Sequence, residues 1–214
     1  MPWRLAPRRH AAVSGADLVL LDIDEGAYAC VPGGAALVRS CGSRFEFDLD
    51  GVDLATDLEA AGLIIPGFGL SGLPAIPRPS VHLGLEPGQV TLAQGARLVG
   101  GLLHLARHFH GRSFASLIAV SGRRRRIATD ARDPRLQAEA AAFQTLLPWI
   151  PGQGLCLYRS FLLLRMLNGA GLDAIWVFGV RTWPFAAHCW LQVGETVVDD
   201  DLDHVAGYAP ILAV

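Results

Sequence analysis

The chain of 214 residues is 51% hydrophobic and 18% charged and carries a formal net charge of −2, which excludes an intrinsically disordered tail. A domain that binds nucleic acid is usually strongly basic, so this balance also argues against a nucleic-acid partner. No apolar run approaches the roughly 20 residues that span a bilayer, and no secretory signal is visible. We therefore expect a cytoplasmic protein without a membrane partner.

The first 66 residues predict a small α+β module that begins with a β-hairpin. Residues 17–23 form an apolar run of β type, residues 24–26 are a turn signal, and residues 27–31 resume the extended pattern. Pro32 can occupy the first turn of a helix, and the alanine-rich residues 35–38 are expected to continue it.

A second helix of this module is predicted at residues 52–61, where apolar residues recur at helical spacing and Gly62 has the position of a C-cap. Residues 67–80 then contain three Gly and three Pro, a composition that prevents regular structure. We therefore predict a linker at residues 67–80. It separates a domain of residues 1–66 from a second domain of residues 81–214.

The second domain is predicted to contain three helices and three strands. The helices cover residues 92–109, 134–147 and 155–167. The strands cover residues 174–180, 186–193 and 196–199. Thr91 can cap the first helix, and the third helix is apolar on all sides and should be buried. A tight turn at Gly194 and Glu195 makes the last two strands a hairpin.

Cys156 is the candidate nucleophile of this domain. It follows a segment rich in Gly and Pro and lies just inside the buried helix, where free N–H groups and the positive end of the helix dipole favour a thiolate. The other cysteines, Cys30, Cys41 and Cys189, are expected to be small buried residues. No CxxC pair is present, so the sequence does not support a zinc ribbon.

A thiolate needs a base, and the base needs a group that orients it. His188 lies within a predicted strand, and alternation along that strand puts Cys189 on the opposite face, away from the site. Asp200 lies at the end of the paired strand and comes back near the start of the histidine strand. On geometry alone, Asp199 and Asp201 are alternatives to Asp200 as the orienting carboxylate.

Other features of the sequence leave alternatives open. The backbone N–H of Cys156 is expected to contribute to an oxyanion hole, with Gln153 or Trp149 as a further donor. The four consecutive Arg at residues 123–126 form either a solvated loop or a docking patch for an acidic peptide, a phosphate or a partner. A metal site would rest on three histidines: His104, His108 and His110. No nearby carboxylate completes that set, so no metal is expected.

Several segments together resemble the B proteins of lasso-peptide biosynthesis. They are residues 147–149, 154–160, 177–181, 184–190 and 197–200, in this order. The resemblance implies a transglutaminase-like, papain-related peptidase fold, with a nucleophile helix packed on an antiparallel sheet. It assigns the nucleophile to Cys156, the base to His188 and the orienting carboxylate to Asp200, because the family often has Asn at the position of Asp199.

The amino-terminal module resembles the small, winged-helix-like domain that recognises precursor peptides in ribosomal peptide pathways. In that family the leader peptide adds as a strand to the hairpin and packs on the last helix. The resemblance therefore implies leader contacts at Leu20, Tyr28 and Leu58, and Trp149 is a further candidate for substrate binding. Some lasso systems carry the two halves as separate proteins, which are fused in this chain.

The sequence thus predicts an α+β protein that cleaves a lasso precursor at the leader–core junction. The resemblance implies two partners, the precursor and an asparagine-synthetase-like cyclase. No cofactor is expected to bind the chain itself, and any ATP would be used by the cyclase, because the chain has no GxxxxGK[ST] segment. The alternatives are an acyltransferase of transglutaminase type and a non-catalytic adaptor that binds the leader.

Overall fold

The computed structural model describes residues 3–41, 44–49, 53–67, 71–72, 76–84, 86–109, 113–121, 129–150 and 155–214. The strands are β1 Trp3–Leu5, β2 Arg9–Ser14, β3 Asp17–Asp22, β4 Ala27–Val31, β5 Val38–Cys41, β6 Arg44–Phe47, β7 Ile64–Pro66, β8 Ser71–Gly72, β9 Val81–His82, β10 Ile175–Arg181, β11 Ala186–Val193, β12 Thr196–Val197 and β13 Ala209–Ala213. The helices are α1 Asp53–Ala60, α2 Leu92–Phe109, α3 Phe114–Ser121, α4 Pro134–Leu146, α5 Cys156–Gly169 and α6 Leu202–Val205.

These strands form three sheets. The outer sheet has the order β5-β6-β1-β7, with β8 paired to β6. The hairpin sheet has the order β2-β3-β4, and the C-terminal sheet has the order β13-β10-β11-β12-β9. In the described part of the chain the strand pairs are antiparallel except for β9 with β12. Helices and antiparallel sheets together confirm the predicted α+β class.

The hairpin sheet lies between two hydrophobic cores. Its central strand β3 is buried at every position, as expected for an apolar run covered on both faces. Leu18 and Leu20 pack into the core of the outer sheet, whereas Val19 and Leu21 pack into the core of the C-terminal sheet. The predicted hairpin of residues 17–31 is therefore confirmed, and it contacts both halves of the protein.

The helix predicted after Pro32 is wrong. A short 3-10 turn, Gly34–Leu37, leads directly into β5. Two adjacent glycines favour this path: Gly33 has a φ of 70°, and a Cβ at Gly34 would lie 2.7 Å from the Cβ of Leu18. The chain therefore packs too closely against β3 for a regular helix with side chains.

The helix predicted at residues 52–61 is confirmed as α1, and its end follows the expected chemistry. Gly62 has a φ of +67°, and its N–H donates to Glu59 O while the N–H of Leu63 donates to Leu58 O. This pair of hydrogen bonds is a Schellman motif, which satisfies carbonyls that the helix leaves free.

The predicted helices of the second half are also present. Thr91 Oγ1 accepts a hydrogen bond from the N–H of Gln94, and Gln94 Oε1 accepts one from the N–H of Thr91, so a reciprocal capping box begins α2. Asp133 caps α4, which has Pro134 in its first turn. None of the described helices has the length and apolar character needed to cross a membrane.

The second part of the predicted linker is fastened to the C-terminal sheet. Gln192 Nε2 donates to Pro77 O at 2.6 Å, and the N–H of Ser80 donates to Glu195 O at 2.9 Å. Residues 68–70 and 73–75 lie outside the described residues. The division into domains at residues 66 and 81 stays a prediction.

Hydrogen bonds also join the hairpin sheet to the loop between β10 and β11. Thr182 Oγ1 donates to Ser14 O at 3.2 Å, and Trp183 Nε1 donates to Asp17 Oδ2 at 2.7 Å. These contacts hold the turn between β2 and β3 close to the loop that leads into β11, the strand that carries the candidate base.

Candidate active site

The candidate nucleophile, Cys156, is the first residue of α5. The preceding residue, Leu155, has an extended backbone, and no side chain caps the helix there. The first N–H groups of α5 therefore point toward the thiol, and the positive end of the helix stabilises a thiolate. Residues 151–154, which include Gln153, lie outside the described residues.

The position of α5 is fixed at an edge of β11 that, in the described part of the chain, no strand other than β12 covers. The short strand β12 pairs with only the last two residues of β11. Beyond it, the N–H of Leu191 donates to Asp199 Oδ1 at 2.7 Å. Ser160 Oγ lies 2.6 Å from Asp199 Oδ2 and 3.2 Å from Cys189 O. Because Ser160 is one turn after Cys156, these contacts hold the thiol at the free N–H of Cys189.

Asp199 is therefore a structural carboxyl. Its side chain is buried, with 3% of the residue exposed, and both oxygens face the contacts with Leu191 and Ser160. Burial raises the pKa of Asp199 above its ordinary value. The Asp199 side chain connects α5 to β11, and its neighbour Asp200 is the residue that contacts His188.

The Asp200 carboxylate contacts hydrogen-bond donors of four residues. His188 Nε2 lies 2.5 Å from Oδ2, and Arg159 Nη2 donates to the same oxygen at 3.1 Å. His204 Nδ1 lies 2.9 Å from Oδ1, which also accepts the N–H of Asp201 at 2.8 Å. Burial would raise the pKa of Asp200, but the hydrogen bonds from His188, His204 and Asp201 hold it well below its usual range.

Aromatic rings fix the plane of His188. The imidazole lies 5.2 Å from the ring of Tyr208 and 6.1 Å from that of Trp190, measured between centroids. Gly179 is paired with His188 across β10 and β11, and a Cβ at Gly179 would lie 2.8 Å from Tyr208 Cβ and from the Trp190 ring. The absence of a side chain at Gly179 therefore allows these rings to pack against the imidazole.

The electrostatics favour a thiolate and an imidazolium. Hydrogen bonds from the Cys189 side chain, from His188 and from the Cys189 N–H lower the pKa of Cys156 to about 4, against the opposite effect of burial. Burial alone would lower the pKa of His188, but its hydrogen bonds to Asp200 and Cys156 raise it to about 9. Between these values the two side chains form an ion pair.

The expectation that Cys189 points away from the site is wrong. Strand alternation does put Cys189 on the face that α5 covers, but Cys156 lies at the uncovered edge of β11, which both Cys189 and His188 reach. The contact with Cys156, together with burial, raises the pKa of Cys189 well above its ordinary value. Cys189 is therefore a neutral thiol that donates to the thiolate.

A cavity of about 220 Å³ opens beside Cys156 and His188. Its lining residues are Gly26, Tyr28, Phe114, Cys156, Leu157, Phe178, Ala187, His188 and Cys189. Two of them, Gly26 and Tyr28, belong to the hairpin sheet and its turn. Burial and the nearby cysteines Cys189 and Cys156 raise the pKa of Tyr28 to about 12. The amino-terminal part of the chain thus supplies a wall of the site.

The other residues predicted to bind substrate are dispersed. Leu20 is 0% exposed and Leu58 is 6% exposed, both within the core of the outer sheet. Neither side chain presents surface to a leader in this arrangement, and their binding role stays a prediction. Trp149 lies on the 3-10 turn Leu147–Trp149 and is 84% exposed. Its role also stays a prediction.

Three contributors were not identified from the sequence: Arg159, Ser160 and His204. Arg159 and Ser160 lie three and four residues after Cys156, so helical geometry puts them near the same face of α5. A buried Ser and an Arg within an otherwise apolar helix are the signal that could have found them. His204 lies four residues after Asp200 on α6, a helix that the sequence analysis did not predict.

The histidines considered for a metal site do not form a described cluster. The ring of His104 packs on Phe161 at 5.9 Å, and the side chain of His108 and all of His110 lie outside the described residues. Within the described part of the chain, the group with metal-ligand spacing consists of His188, Asp200 and His204. Arg159 already contacts the shared carboxylate of that group. The Arg run at residues 123–126 also lies outside the described residues.

Comparisons with known proteins identify the family of the chain. A family model described as the transglutaminase-like superfamily matches residues 99–213. The microcin J25-processing protein McjB of Escherichia coli is 49% identical over 45 residues, which are 21% of this chain and 22% of McjB. No solved structure matches the chain. These two matches confirm the resemblance that the motifs predicted. The chain belongs to the transglutaminase-like superfamily.

Proposed function

We propose that the protein is a cysteine peptidase that cleaves a lasso precursor at the junction of leader and core. One observation carries the proposal: Cys156 lies at the start of α5 in contact with His188, whose ring is bonded to Asp200. The similarity to a microcin-processing protein supports the choice of substrate class. Nε2 of His188 is hydrogen-bonded to Asp200, so Nδ1 is available for proton exchange with Cys156.

The reaction proceeds through a thioester. The Cys156 thiolate attacks the carbonyl carbon of the scissile bond, and the backbone N–H of Cys156 donates to the oxyanion that forms. The imidazolium of His188 gives its proton to the leaving amine of the core peptide. Neutral His188 then takes a proton from water, which attacks the thioester and releases the leader as a carboxylate. Asp200 keeps the imidazole in the required orientation throughout.

The hairpin sheet offers a place for the leader. In the described part of the chain β4 pairs with β3 on one side, and its other edge has no strand. A peptide can add to such an edge by backbone hydrogen bonds. An antiparallel leader would end beside Ala27 and Tyr28, next to the cavity that holds Cys156. This orientation delivers the carboxyl end of the leader to the nucleophile.

The proposal includes a partner for the product. The amine released by cleavage is the group that a lasso cyclase joins into a macrolactam, so an asparagine-synthetase-like cyclase is the expected next enzyme. ATP would be consumed by that cyclase. This chain would supply the free amine.

Mass spectrometry of the cognate precursor tests the peptidase. The precursor is incubated with the protein, the cyclase and ATP, and wild type is compared with Cys156→Ala. We expect leader release to fall by more than about 10³-fold in the variant, because the nucleophile is lost. Cys41→Ala is the matched control and should retain release. Equal cleavage by wild type and Cys156→Ala would leave leader binding without catalysis as the better account.

A second candidate, acyl transfer, is favoured by membership of the transglutaminase-like superfamily. The same thioester would then pass its acyl group to an amine in place of water. Product mass separates the two reactions when a primary amine is added in excess. A leader that carries the amine indicates transfer, whereas a leader with a free carboxylate indicates hydrolysis.

A further inference from the structure

The cavity beside Cys156 is built from distant parts of the chain. Gly26 and Tyr28 come from the hairpin turn and β4, Phe114 from α3, Leu157 from α5 and Phe178 from β10. The volume of about 220 Å³ exceeds the space that attack on a carbonyl requires, and it extends away from Asp200, which does not line it. The cavity therefore has room for a part of the substrate that does not react.

The walls of this cavity are apolar. Among the described residues that line it, no side chain is acidic or basic apart from the reacting pair Cys156 and His188. The raised pKa of Tyr28 keeps its phenol neutral at ordinary pH. A charged side chain that entered would lose its hydration without gaining a free counter-charge, which disfavours its binding. The lining thus accepts uncharged, apolar groups.

The wall formed by the hairpin is firmly supported. The ring of Tyr28 packs on Phe185, with centroids 5.7 Å apart. A Cβ at Gly26 would lie 3.1 Å from Phe114 Cβ, and the ring of Phe114 meets that of Phe178 edge-on at 5.3 Å. These contacts restrain the Tyr28 wall and the Phe114 wall of the cavity, so its width is defined. Tyr28 limits that width.

We propose that this cavity is a specificity subsite for an apolar side chain of the substrate residue next to the attacked carbonyl, and that Tyr28 sets its size. The proposal rests on the proposed function insofar as the substrate is a peptide. The amino-terminal part of the chain thereby contributes to selection at the scissile bond as well as to any binding of the leader.

Labelling of Cys156 by small electrophiles tests the subsite without precursor or cyclase. The probes are the N-acetyl aminoacyl chloromethyl ketones of leucine, tryptophan, lysine and aspartate, which carry the side chain on the acyl side of the carbonyl as the substrate does. The thiolate forms a bond to the methylene carbon and chloride leaves, so intact mass and peptide mapping report the rate at Cys156. Plain chloroacetamide, which has no side chain, corrects for thiol reactivity. Cys156→Ser gives the background from the other cysteines.

We expect the leucine probe to label wild type at least about tenfold faster than the aspartate or lysine probe, after this correction. Tyr28→Ala should widen the cavity and raise the rate of the tryptophan probe relative to leucine by a similar factor. Tyr28→Phe retains the ring and should keep the wild-type ranking. Ala187→Leu narrows the opening from an exposed position and should slow the leucine probe relative to chloroacetamide.

Equal corrected rates for the leucine, lysine and aspartate probes in wild type would overturn the subsite. So would an unchanged ranking in both Tyr28→Ala and Ala187→Leu. If Tyr28→Ala does not fold, Ala187→Leu still decides. Failure of precursor cleavage combined with the expected probe ranking would refute the peptidase and leave the subsite standing, so the two proposals fail separately.

Discussion

At the scale of single residues, the adjacent carboxyls Asp199 and Asp200 have opposite environments. Asp200 faces several donors that stabilise its ionised form, whereas Asp199 is buried next to one N–H and one hydroxyl. The hydroxyl of Ser160 has a single proton and two acceptors within reach. Ser160 donates to Asp199 Oδ2 at 2.6 Å, and the more distant Cys189 O, at 3.2 Å, shares the same hydroxyl.

Substitutions at these two carboxyls should therefore have different effects. Asp199→Asn keeps one acceptor and one donor and should change the free energy of unfolding little, whereas Asp199→Ala should lower it by about 1–3 kcal/mol because Leu191 N–H loses its partner. Asp200→Asn should lose cleavage activity and should also lower the free energy of unfolding at neutral pH, because His188, Arg159 and His204 lose an ionised acceptor. Urea unfolding and precursor cleavage measure the two properties. A fully active Asp200→Asn would contradict the assignment of the orienting carboxylate.

The ion pair makes a prediction about pH. In wild type, alkylation of Cys156 by iodoacetamide should follow a titration near pH 4, because the thiolate persists above that value. Cleavage should fall again as pH rises through about 9, where His188 loses its proton. His188→Gln should move the alkylation midpoint upward, toward that of an ordinary cysteine. A midpoint that does not move would show that His188 does not stabilise the thiolate.

The same shifts affect folding. The folded pKa of His188 lies above its ordinary value, so its contribution to stability is complete below about pH 6.5 and is lost as pH rises through about 9. The pKa of Asp200 is depressed, so its contribution is present above its ordinary value and is lost as pH falls through the folded one. The pKa of Cys156 is lowered to about 4, so its contribution grows as pH rises toward the ordinary value of about 9 and offsets the loss from His188. We therefore expect the free energy of unfolding, measured by urea unfolding, to decline on acidification and to change little between about pH 6.5 and 9.

Cys156 and His188 could be named from local signals in the sequence, whereas the choice of Asp200 over Asp199 and Asp201 came from the family resemblance. Cys156 begins an apolar helix, His188 lies within a strand, and the hairpin after His188 returns Asp200 to it. The roles of Cys189 and Arg159 could not be named, because they depend on how α5 meets the edge of β11. That docking is a tertiary property, and strand alternation alone gave the wrong orientation for Cys189.

At the scale of elements, Gly179 in β10 links packing to the site. Gly179→Ala should lower the free energy of unfolding by about 1–3 kcal/mol, because the new methyl overlaps Tyr208 and Trp190. Activity should fall as well, since these rings hold His188. Gly100→Ala is the control: Gly100 lies in α2, where a Cβ meets nothing within 4 Å, and should be neutral or stabilising by up to about 1 kcal/mol. Thermal unfolding and cleavage measure both effects.

Elements with strong periodicity or capping chemistry were predicted well. The boundaries of β11 agree with the sequence analysis, and α2 begins at its capping box. The short strands β8, β9 and β12 have two residues each and carry little pattern of their own. They form because a neighbouring strand is available, which a local pattern cannot indicate.

At the scale of the whole molecule, the hairpin sheet makes the two halves interdependent. Ala12, Val19, Leu21 and Ile23 belong to the same core as Phe161 and Trp176. The Gly and Pro residues of segment 67–80 predicted a linker between separate domains. Such a composition cannot show which faces of the two parts pack together. The packing depends on β3 being apolar on both faces.

Expression of partial chains tests this interdependence. Residues 73–214 alone should aggregate or unfold without a cooperative transition, because the apolar surface that contacts β3 becomes exposed. Co-expression with residues 1–72 should restore a soluble complex that melts cooperatively. Size-exclusion chromatography and calorimetry measure the result. A well-folded, cooperatively melting fragment of residues 73–214 would contradict the shared core.

The segments on the two sides of residues 73–75 are each bonded to a different sheet, which bears on how the gene can be divided. On one side β8 is paired with β6, and on the other residues 76–82 are bonded to the C-terminal sheet. A stop and restart of translation between them would leave two polypeptides that still meet through the hairpin sheet. Fusion or fission of the coding sequence at this point therefore leaves each of these described contacts in place.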